Sequence, residues 1–114
     1  IPLRLVGSEM CIRDRVGPYQ GGMGCLRIPY SRGVCGAAAR ENKIQLVSDV
    51  HQFPGHIACD DATRSECVVP LRDHLGQVQG VLDLDSPHLN GFDPEEASFC
   101  DRLLQEIFAR PIRW

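Results

Sequence analysis

Cysteine is the residue type in this chain best suited to chemistry, because a thiolate is a nucleophile, a metal ligand and a redox group. The 114 residues include six cysteines, which are Cys11, Cys25, Cys35, Cys59, Cys67 and Cys100. No two form a CxxC pair, and the smallest gap, from Cys59 to Cys67, is too wide for a zinc knuckle. Scattered cysteines of this kind are either buried small apolar side chains or redox catalysts.

Two of these cysteines have sequence neighbours that would favour reactivity. Glycines on either side of Cys35, in the string RGVCG, let the backbone approach a ligand closely. His56 lies three residues before Cys59, where a positive charge would favour the thiolate. A buried structural cysteine is the alternative at both positions. A zinc site made of Cys35, His56 and Cys59 is a further alternative, which the spacing disfavours because it fits no common zinc finger.

Acidic side chains form the second candidate group. In the predicted strand 77–85 the side chains alternate between faces, so Asp83 and Asp85 share one face, roughly 7 Å apart. Glu66, on the neighbouring predicted strand, is a candidate for the same side. Carboxylates this close raise one another's pKa, because each negative charge makes ionisation of the other less favourable. Such a cluster is typical of a site that donates a proton or binds a cation. Solvated carboxylates at a strand end are the alternative.

Cys67 and Cys100 are predicted to be core residues. Cys67 follows Glu66 directly in a predicted strand and therefore faces the opposite side. Cys100 lies on the apolar stripe of the predicted C-terminal helix. Because free cysteine is among the most buried residue types, both side chains are expected to pack rather than react.

The elements that must position these groups are short. The sequence predicts a turn at 17–24, a strand at 25–29, a loop at 31–36, a helical turn or two at 36–41 and a strand at 45–50. Strands 66–71 and 77–85 are expected to form a hairpin. The long connection 51–64, which carries His56 and Cys59, is of the length that tends to be functional.

The chain ends in a helix with clear start signals. Asp93 is a natural N-cap, Pro94 suits the first helical position, and Glu96 completes a capping box. Its predicted apolar stripe is Ala97, Cys100, Leu103, Leu104, Ile107 and Phe108. The order of elements predicts an α+β domain, with an antiparallel sheet and a terminal helix packed on it.

The first fifteen residues look foreign to this domain. The string LVGSEMCIRDR shows neither helical nor strand periodicity, and it resembles a translated sequencing-adapter read-through. We therefore expect residues 1–15 to be a non-native leader, Cys11 included, and residues 16–114 to carry the domain. A genuine N-terminal segment is the alternative.

Composition and charge narrow the class of protein. Apolar residues make up 43% and charged residues 24%, as in soluble domains, and the net charge of −3 argues against nucleic-acid binding. No apolar stretch is long enough to span a bilayer, and no secretory signal is visible. We predict a cytoplasmic protein without a membrane partner, in which an extracellular disulfide framework is disfavoured.

Taken as strings, these segments resemble one family, the free methionine-(R)-sulfoxide reductases. The strings are GPYQGGMGCLRIPYSRGVCGAAA, DVHQFPGHIACD, SECVVPL and GVLDLDSP, in the order that the family has. The similarity covers residues 16 to about 104. Cys67 departs from the family, which usually has an aliphatic residue there, and Tyr19 and Tyr30 stand where Phe is common.

The resemblance implies a GAF fold, an antiparallel sheet with helices on one side. It implies reduction of the free amino acid, with no metal or organic cofactor and with thioredoxin as the electron donor. It also implies that Cys25, Cys35 and Cys59 carry the chemistry. We assign the attack on the sulfoxide sulfur to Cys59 and the resolving step to Cys25. Cys35 is an alternative resolving thiol, and the order of Cys35 and Cys59 stays open.

The resemblance also gives the acids a role. Among Glu66, Asp83 and Asp85, one is expected to protonate the sulfoxide oxygen and another to pair with the ammonium group of the free amino acid. Family members have an N-terminal helix and roughly two further strands, so we expect an N-terminally truncated domain that aggregates or stays partly unfolded. A homodimer is left open. A GAF module that binds a small ligand without chemistry is the alternative function.

Overall fold

Five antiparallel strands form one sheet in the computed structural model, and a helix packs on each face. The structure describes residues 7–12, 15–21, 33–56 and 62–108, the first two ranges by their backbone alone. The elements are β1 (Gly7–Ile12), β2 (Arg15–Gly21), α1 (Gly33–Glu41), β3 (Gln45–Val47), a 3-10 helix (Val50–Gln52), β4 (Ser65–Arg72), β5 (Val78–Ser86) and α2 (Pro94–Ile107).

The β4–β5 hairpin lies inside the sheet, whose strand order is β2-β1-β5-β4-β3. The two strands pair in antiparallel register from Ser65 opposite Ser86 to Arg72 opposite Val78, which confirms the predicted hairpin. The turn between them uses Gly76 at φ 81°, a left-handed conformation that glycine adopts without a steric penalty. The predicted strand at 45–50 is observed as the shorter β3.

Alternation along β4 divides the core into two clusters. Val68 points to the face covered by α1, where it packs with Val34, Ala38 and Val81. Its neighbours Cys67, Val69 and Leu71 point to the face covered by α2, where they pack with Ala97 and Leu104. The sheet with flanking helices is confirmed, but the helices lie on opposite faces, and the expectation of helices on one side is wrong. Both faces of β4 carry buried apolar residues, so each face needs a helix to cover it.

Helix α1 begins earlier than the sequence predicts. It starts at Gly33, so Cys35 lies in its first turn instead of in a loop that ends at Gly36. Gly33 has φ 74°, and its N–H donates to the carbonyl oxygen of Gly55 at 3.0 Å. This bond holds the start of α1 against the connection that follows β3. Glycine-rich strings are typical of loops, so composition alone does not predict the first turn of α1.

Local structure near the N-terminus also differs from the prediction. Residues 7–12 form β1, which pairs with both β2 and β5, although the sequence shows no strand periodicity there. Residues 15–21 form β2 where a turn is predicted. Strand pairing is made by hydrogen bonds between backbone N–H and C=O groups. β1 can therefore pair with β5 although its side chains do not alternate between apolar and polar. The non-native origin of residues 1–15 stays a prediction.

Helix α2 begins as the sequence predicts. The Asp93 carboxylate accepts a hydrogen bond from the Glu96 N–H at 2.7 Å, and the Glu96 carboxylate accepts one from the Asp93 N–H at 3.3 Å. The predicted stripe is confirmed in part: Ala97 and Leu104 are buried and Cys100 and Phe108 partly so, whereas Leu103 and Ile107 are 44% and 60% exposed. Among the described helices, none is long and apolar enough to cross a membrane.

A polar network around Arg72 ties both helices to the end of the hairpin. The Arg72 guanidinium donates to the side-chain and backbone oxygens of Asn42 at 2.5 and 3.1 Å, and to the Asp101 carboxylate at 3.0 Å. Asn42 follows α1 with φ 54°, the left-handed residue that commonly ends a helix. Arg72 therefore fixes the end of α1 that lies away from Cys35.

The hairpin turn depends on the Asp73 carboxylate, and its replacement should destabilise the fold in a pH-dependent way. Asp73 accepts hydrogen bonds from the Gln77 and Leu75 N–H groups and from the Gln79 amide, and the first of these is the main cause that lowers its pKa below 3.8. A lowered folded-state pKa stabilises the fold above the unfolded value and ceases to do so as pH falls through the folded value.

We therefore expect Asp73→Ala to lower the melting temperature at neutral pH, and the difference from wild type to shrink well below pH 3.8. Asp73→Asn, which keeps one acceptor oxygen, is the control and should lose less. Thermal unfolding followed by circular dichroism across this pH range makes the measurement. A loss of equal size at both ends of the range would show that the charge is irrelevant.

Candidate functional site

Three side chains that could do chemistry converge between α1 and the sheet. The Sγ of Cys35 and one carboxylate oxygen each of Glu66 and Asp83 all lie within 4.8 Å of one another. The three residues come from α1, β4 and β5, and they are 7%, 7% and 3% exposed. The cluster therefore joins a thiol to two carboxylates in a place largely shielded from water.

Strand register brings the carboxylates to the same face. Glu66 on β4 lies opposite Asp85 on β5, and Val68 lies opposite Asp83. Residues paired across antiparallel strands point to the same side, so Glu66, Asp83 and Asp85 share the face that α1 covers. The predicted sharing of one face by the three acids is confirmed. Asp85 is half-buried and stands next to Glu66, toward the open end of the hairpin.

Cys35 reaches the acids because of its place in α1. Val34 and Ala38 pack on Val68 and Val81, which lays the helix across β4 and β5. Cys35 lies in the first helical turn, where the unpaired N–H groups give the helix end a partial positive charge. That charge favours a thiolate, whereas the neighbouring carboxylates oppose one. The partial positive charge of the helix end and the negative charge of the carboxylates thus act on the Cys35 thiol in opposite directions.

The acid–thiol cluster is costly to bury unless something balances its charge. Burial and like-charge repulsion both disfavour the ionised form of an acid, so three acidic groups cannot all be charged cheaply. Each of them makes a further interaction with its surroundings. The arrangement suits two kinds of chemistry, which are the transfer of a proton within the cluster and the binding of a cationic group.

An apolar wall stands beside the acids. Phe53, from the connection after β3, packs against the cluster that contains Val34, Cys35 and Val81. The 3-10 helix Val50–Gln52 places this ring, since the Phe53 N–H donates to the Val50 carbonyl at 3.1 Å. The sequence indicated His56 and Cys59 as the functional candidates of this connection. It did not indicate that Phe53 contributes an apolar wall to the site. An aromatic residue directly before Pro-Gly in that connection was the available signal.

The connection is anchored at both of its described ends. The Val50 N–H donates to the Arg64 carbonyl at 2.9 Å, and the Arg64 N–H donates to the Ser86 carbonyl at 2.8 Å. His56 is half-buried, with its ring 6.3 Å from that of His51. Cys59 and Cys25 lie outside the described residues, so their predicted roles stay predictions. The zinc alternative that includes Cys59 lies partly outside them as well.

Thr63 is a polar residue that no sequence pattern brought to notice. It is 6% exposed, and its hydroxyl has no hydrogen-bond partner among the described residues. It lies three positions before Glu66, at the end of the same connection. Among the described residues nothing replaces the bonds to water that this hydroxyl loses on burial, so it is available to bond a ligand.

Cys67 and Cys100 lie on the other face of the sheet, in the α2 cluster. Burial raises the pKa of Cys67 to about 12, and burial likewise raises the pKa of Cys100. A thiol in this state holds its proton and is a poor nucleophile. The prediction of a core residue is confirmed for Cys67, whereas Cys100 is partly buried and packs against the α2 cluster.

Comparison with known sequences gives one family and several relatives. A sequence model described as GAF domain matches residues 6–107. A free methionine-R-sulfoxide reductase of Escherichia coli is 46% identical over 92 residues, which are 81% of this chain and 55% of that protein. Protein ZMO0507 of Zymomonas mobilis is 46% identical over 107 residues, 92% of this chain and 66% of that protein. The chain thus spans about half to two thirds of these relatives.

Comparison with solved structures agrees with the sequence result. Free methionine-R-sulfoxide reductase from Neisseria meningitidis, solved in complex with its substrate, superposes with a TM-score of 0.85 at 39% identity over 92% of this chain and 65% of that one. The structure of fRMsr of Staphylococcus aureus in its reduced form gives 0.86 at 37% identity, over 92% and 70%. The similarity extends over nearly the whole chain.

The contrast between the two faces predicts a difference in thiol reactivity. Native protein treated with iodoacetamide should be left unmodified at Cys67, because that thiol is 1% exposed and its pKa is about 12. After unfolding, Cys67 should react as an ordinary cysteine does. Peptide mass spectrometry of timed samples makes the measurement, with the unfolded protein as control. Modification of native Cys67 at the unfolded rate would contradict its placement in the core.

Proposed function

The chain belongs to the GAF domain family, and from that premise we propose that it reduces free methionine-(R)-sulfoxide to methionine through its cysteines. The observation that carries the proposal is a buried thiol, Cys35, whose Sγ lies within 4.8 Å of carboxylate oxygens of Glu66 and Asp83. The similarity to free methionine-R-sulfoxide reductases supports it. A pocket that only binds a ligand has no need of a thiol in that position.

The acid cluster would bind the amino-acid end of this substrate. A free amino acid carries an ammonium group, and a buried carboxylate pair is a natural partner for it. Glu66, Asp83 and Asp85 share one face and are the candidates for this contact. A methionine residue within a protein lacks the ammonium charge, so these acids would select the free amino acid. The apolar wall that includes Phe53 and Val34 suits the methyl-sulfinyl end.

The redox step would belong to the cysteines. The Cys59 thiolate attacks the sulfoxide sulfur, and the oxygen passes, with a proton, from the substrate sulfur to Cys59. The substrate S–O bond breaks, methionine leaves reduced by two electrons, and Cys59 is oxidised to a sulfenic acid. The Cys25 thiol condenses with it, which releases water and forms a disulfide. An external dithiol, with thioredoxin as the natural donor, returns both thiols by exchange and is itself oxidised. Cys35 is the alternative resolving thiol, or the first attacker in place of Cys59.

One acid of the cluster would assist that attack. A proton on the sulfoxide oxygen makes the substrate sulfur more electrophilic toward the thiolate, and a carboxylic acid within hydrogen-bond distance can supply that proton. One carboxylate oxygen each of Glu66 and Asp83 lies within 4.8 Å of the Cys35 Sγ, so they are the candidates for this transfer. The other acid then holds the ammonium group, which divides two tasks between two similar side chains.

The setting of the reaction belongs to the same proposal. Catalytic cysteines that cycle through a disulfide need a reducing compartment, and we place the protein in the cytoplasm for that reason. No metal or organic cofactor enters the reaction as proposed. A homodimer is compatible with it, and no step requires a second copy.

Turnover in cysteine variants tests the proposal. We expect consumption of free methionine-(R)-sulfoxide with dithiothreitol or thioredoxin to be abolished in Cys59→Ser, because the attacking thiolate is gone, and to be reduced but measurable in Cys35→Ser. Cys100→Ser, altered on the opposite face, is the matched control and should retain wild-type turnover. Released methionine, measured by chromatography, is the readout.

Other outcomes of this assay separate the alternatives. Turnover lost in Cys35→Ser and kept in Cys59→Ser would retain the enzyme and make Cys35 the nucleophile. Absence of turnover in folded wild-type protein, combined with tight binding of a small ligand, would favour the GAF sensor module over the reductase.

A further inference from the structure

Cys35, Glu66 and Asp83 also have the composition of a metal site. Each offers one ligand atom, from a different element, and the three atoms lie within 4.8 Å of one another. All three side chains are buried. Within the part of the chain that the structure describes, no other group of histidines, cysteines and acids meets this geometry.

We infer that this cluster binds Zn²⁺, with the Cys35 sulfur and one oxygen each of Glu66 and Asp83 as ligands. With these three ligands from the described part of the chain, water takes the fourth tetrahedral position, as in zinc sites that remain open. The ion would be an inhibitor that occupies the site and not a cofactor of the reaction.

The donor atoms select the metal. Thiolate sulfur favours Zn²⁺ over Mg²⁺ and Ca²⁺, which require oxygen ligands in larger shells. Bond lengths to zinc place tetrahedral sulfur and oxygen ligands roughly 3.3–3.6 Å apart. The three atoms, which already lie within 4.8 Å of one another, need to close by about 1.5 Å at most, which rotation of the two carboxylates can supply.

The charge and the burial of the cluster also favour Zn²⁺. A buried acidic cluster is stabilised by a cation that all its members contact. Binding replaces the Cys35 thiol proton, which passes to the buffer, and it forms one zinc–sulfur and two zinc–oxygen bonds. No oxidation state changes, so the step needs no further reactant.

Zinc binding would block the reaction by competition. The ion takes the carboxylates that the proposed function assigns to the substrate ammonium group, so zinc and substrate exclude each other. This kinetic consequence rests on the proposed function. The metal site itself does not, because the three ligands are present whether or not the protein turns over methionine sulfoxide.

Cobalt spectroscopy tests the site without any assay of turnover. Reduced protein titrated with Co²⁺ should show a thiolate-to-cobalt charge-transfer band that Zn²⁺ abolishes and Mg²⁺ leaves unchanged. Cys35→Ser should lose the band. Asp83→Asn and Glu66→Gln should keep it with affinity lowered by more than about tenfold, since even the loss of a residue that only orients a ligand weakens metal binding by that much.

Matched controls decide whether this cluster or another thiol holds the metal. Cys100→Ser and Cys59→Ser should bind Co²⁺ as wild type does, and circular dichroism of every variant verifies that it is folded. A band that survives in Cys35→Ser, or disappears in Cys59→Ser, would overturn the assignment. So would a Zn²⁺ affinity that Asp83→Asn and Glu66→Gln both leave unchanged. If zinc binds as expected while turnover is absent, the reductase proposal fails and the metal site stands.

Discussion

The register between β4 and β5 is the constraint on which the rest of the structure depends. Pairing of Glu66 with Asp85 and of Val68 with Asp83 puts three acids on one face of the sheet, next to apolar residues. A slip of one position in either strand would send one set of acids to the α2 face, where Cys67 and Leu84 pack. The turn around Asp73 and the tight packing of two apolar faces hold this register.

Helix α1 completes the site because it is held at both ends. The Gly33–Gly55 hydrogen bond fixes the end that carries Cys35, and the Arg72–Asn42 contacts fix the other. Between them the helix rests on Val68 and Val81. Because the backbone of α1 is fixed at both ends, the helix itself holds the Cys35 thiol close to the carboxylates of Glu66 and Asp83. Burial of the Cys35 thiol together with the Glu66 and Asp83 carboxylates lowers the stability of the fold. That loss is consistent with a site built for a charged ligand.

Much of this arrangement could be predicted from the sequence, and the failures have physical reasons. Alternation in the strand that holds Asp83 and Asp85 gave the shared face, and local signals gave the α2 capping box at Asp93. The first turn of α1 was missed because glycines around Cys35 mimic a loop. Strand β1 was missed because backbone pairing with β5 needs no side-chain pattern. The closeness of Cys35 to Glu66 depends on tertiary packing, which no local signal encodes.

A crystal structure of the protein with free methionine-(R)-sulfoxide would test the central claim most directly. We expect the substrate ammonium group to lie within hydrogen-bond distance of carboxylates from the set Glu66, Asp83 and Asp85. We also expect the sulfinyl group to lie toward the thiols, between the α1 N-terminus and the wall that includes Phe53. A substrate bound elsewhere, or bound with its ammonium group turned away from the acids, would show that these carboxylates do not recognise the free amino acid.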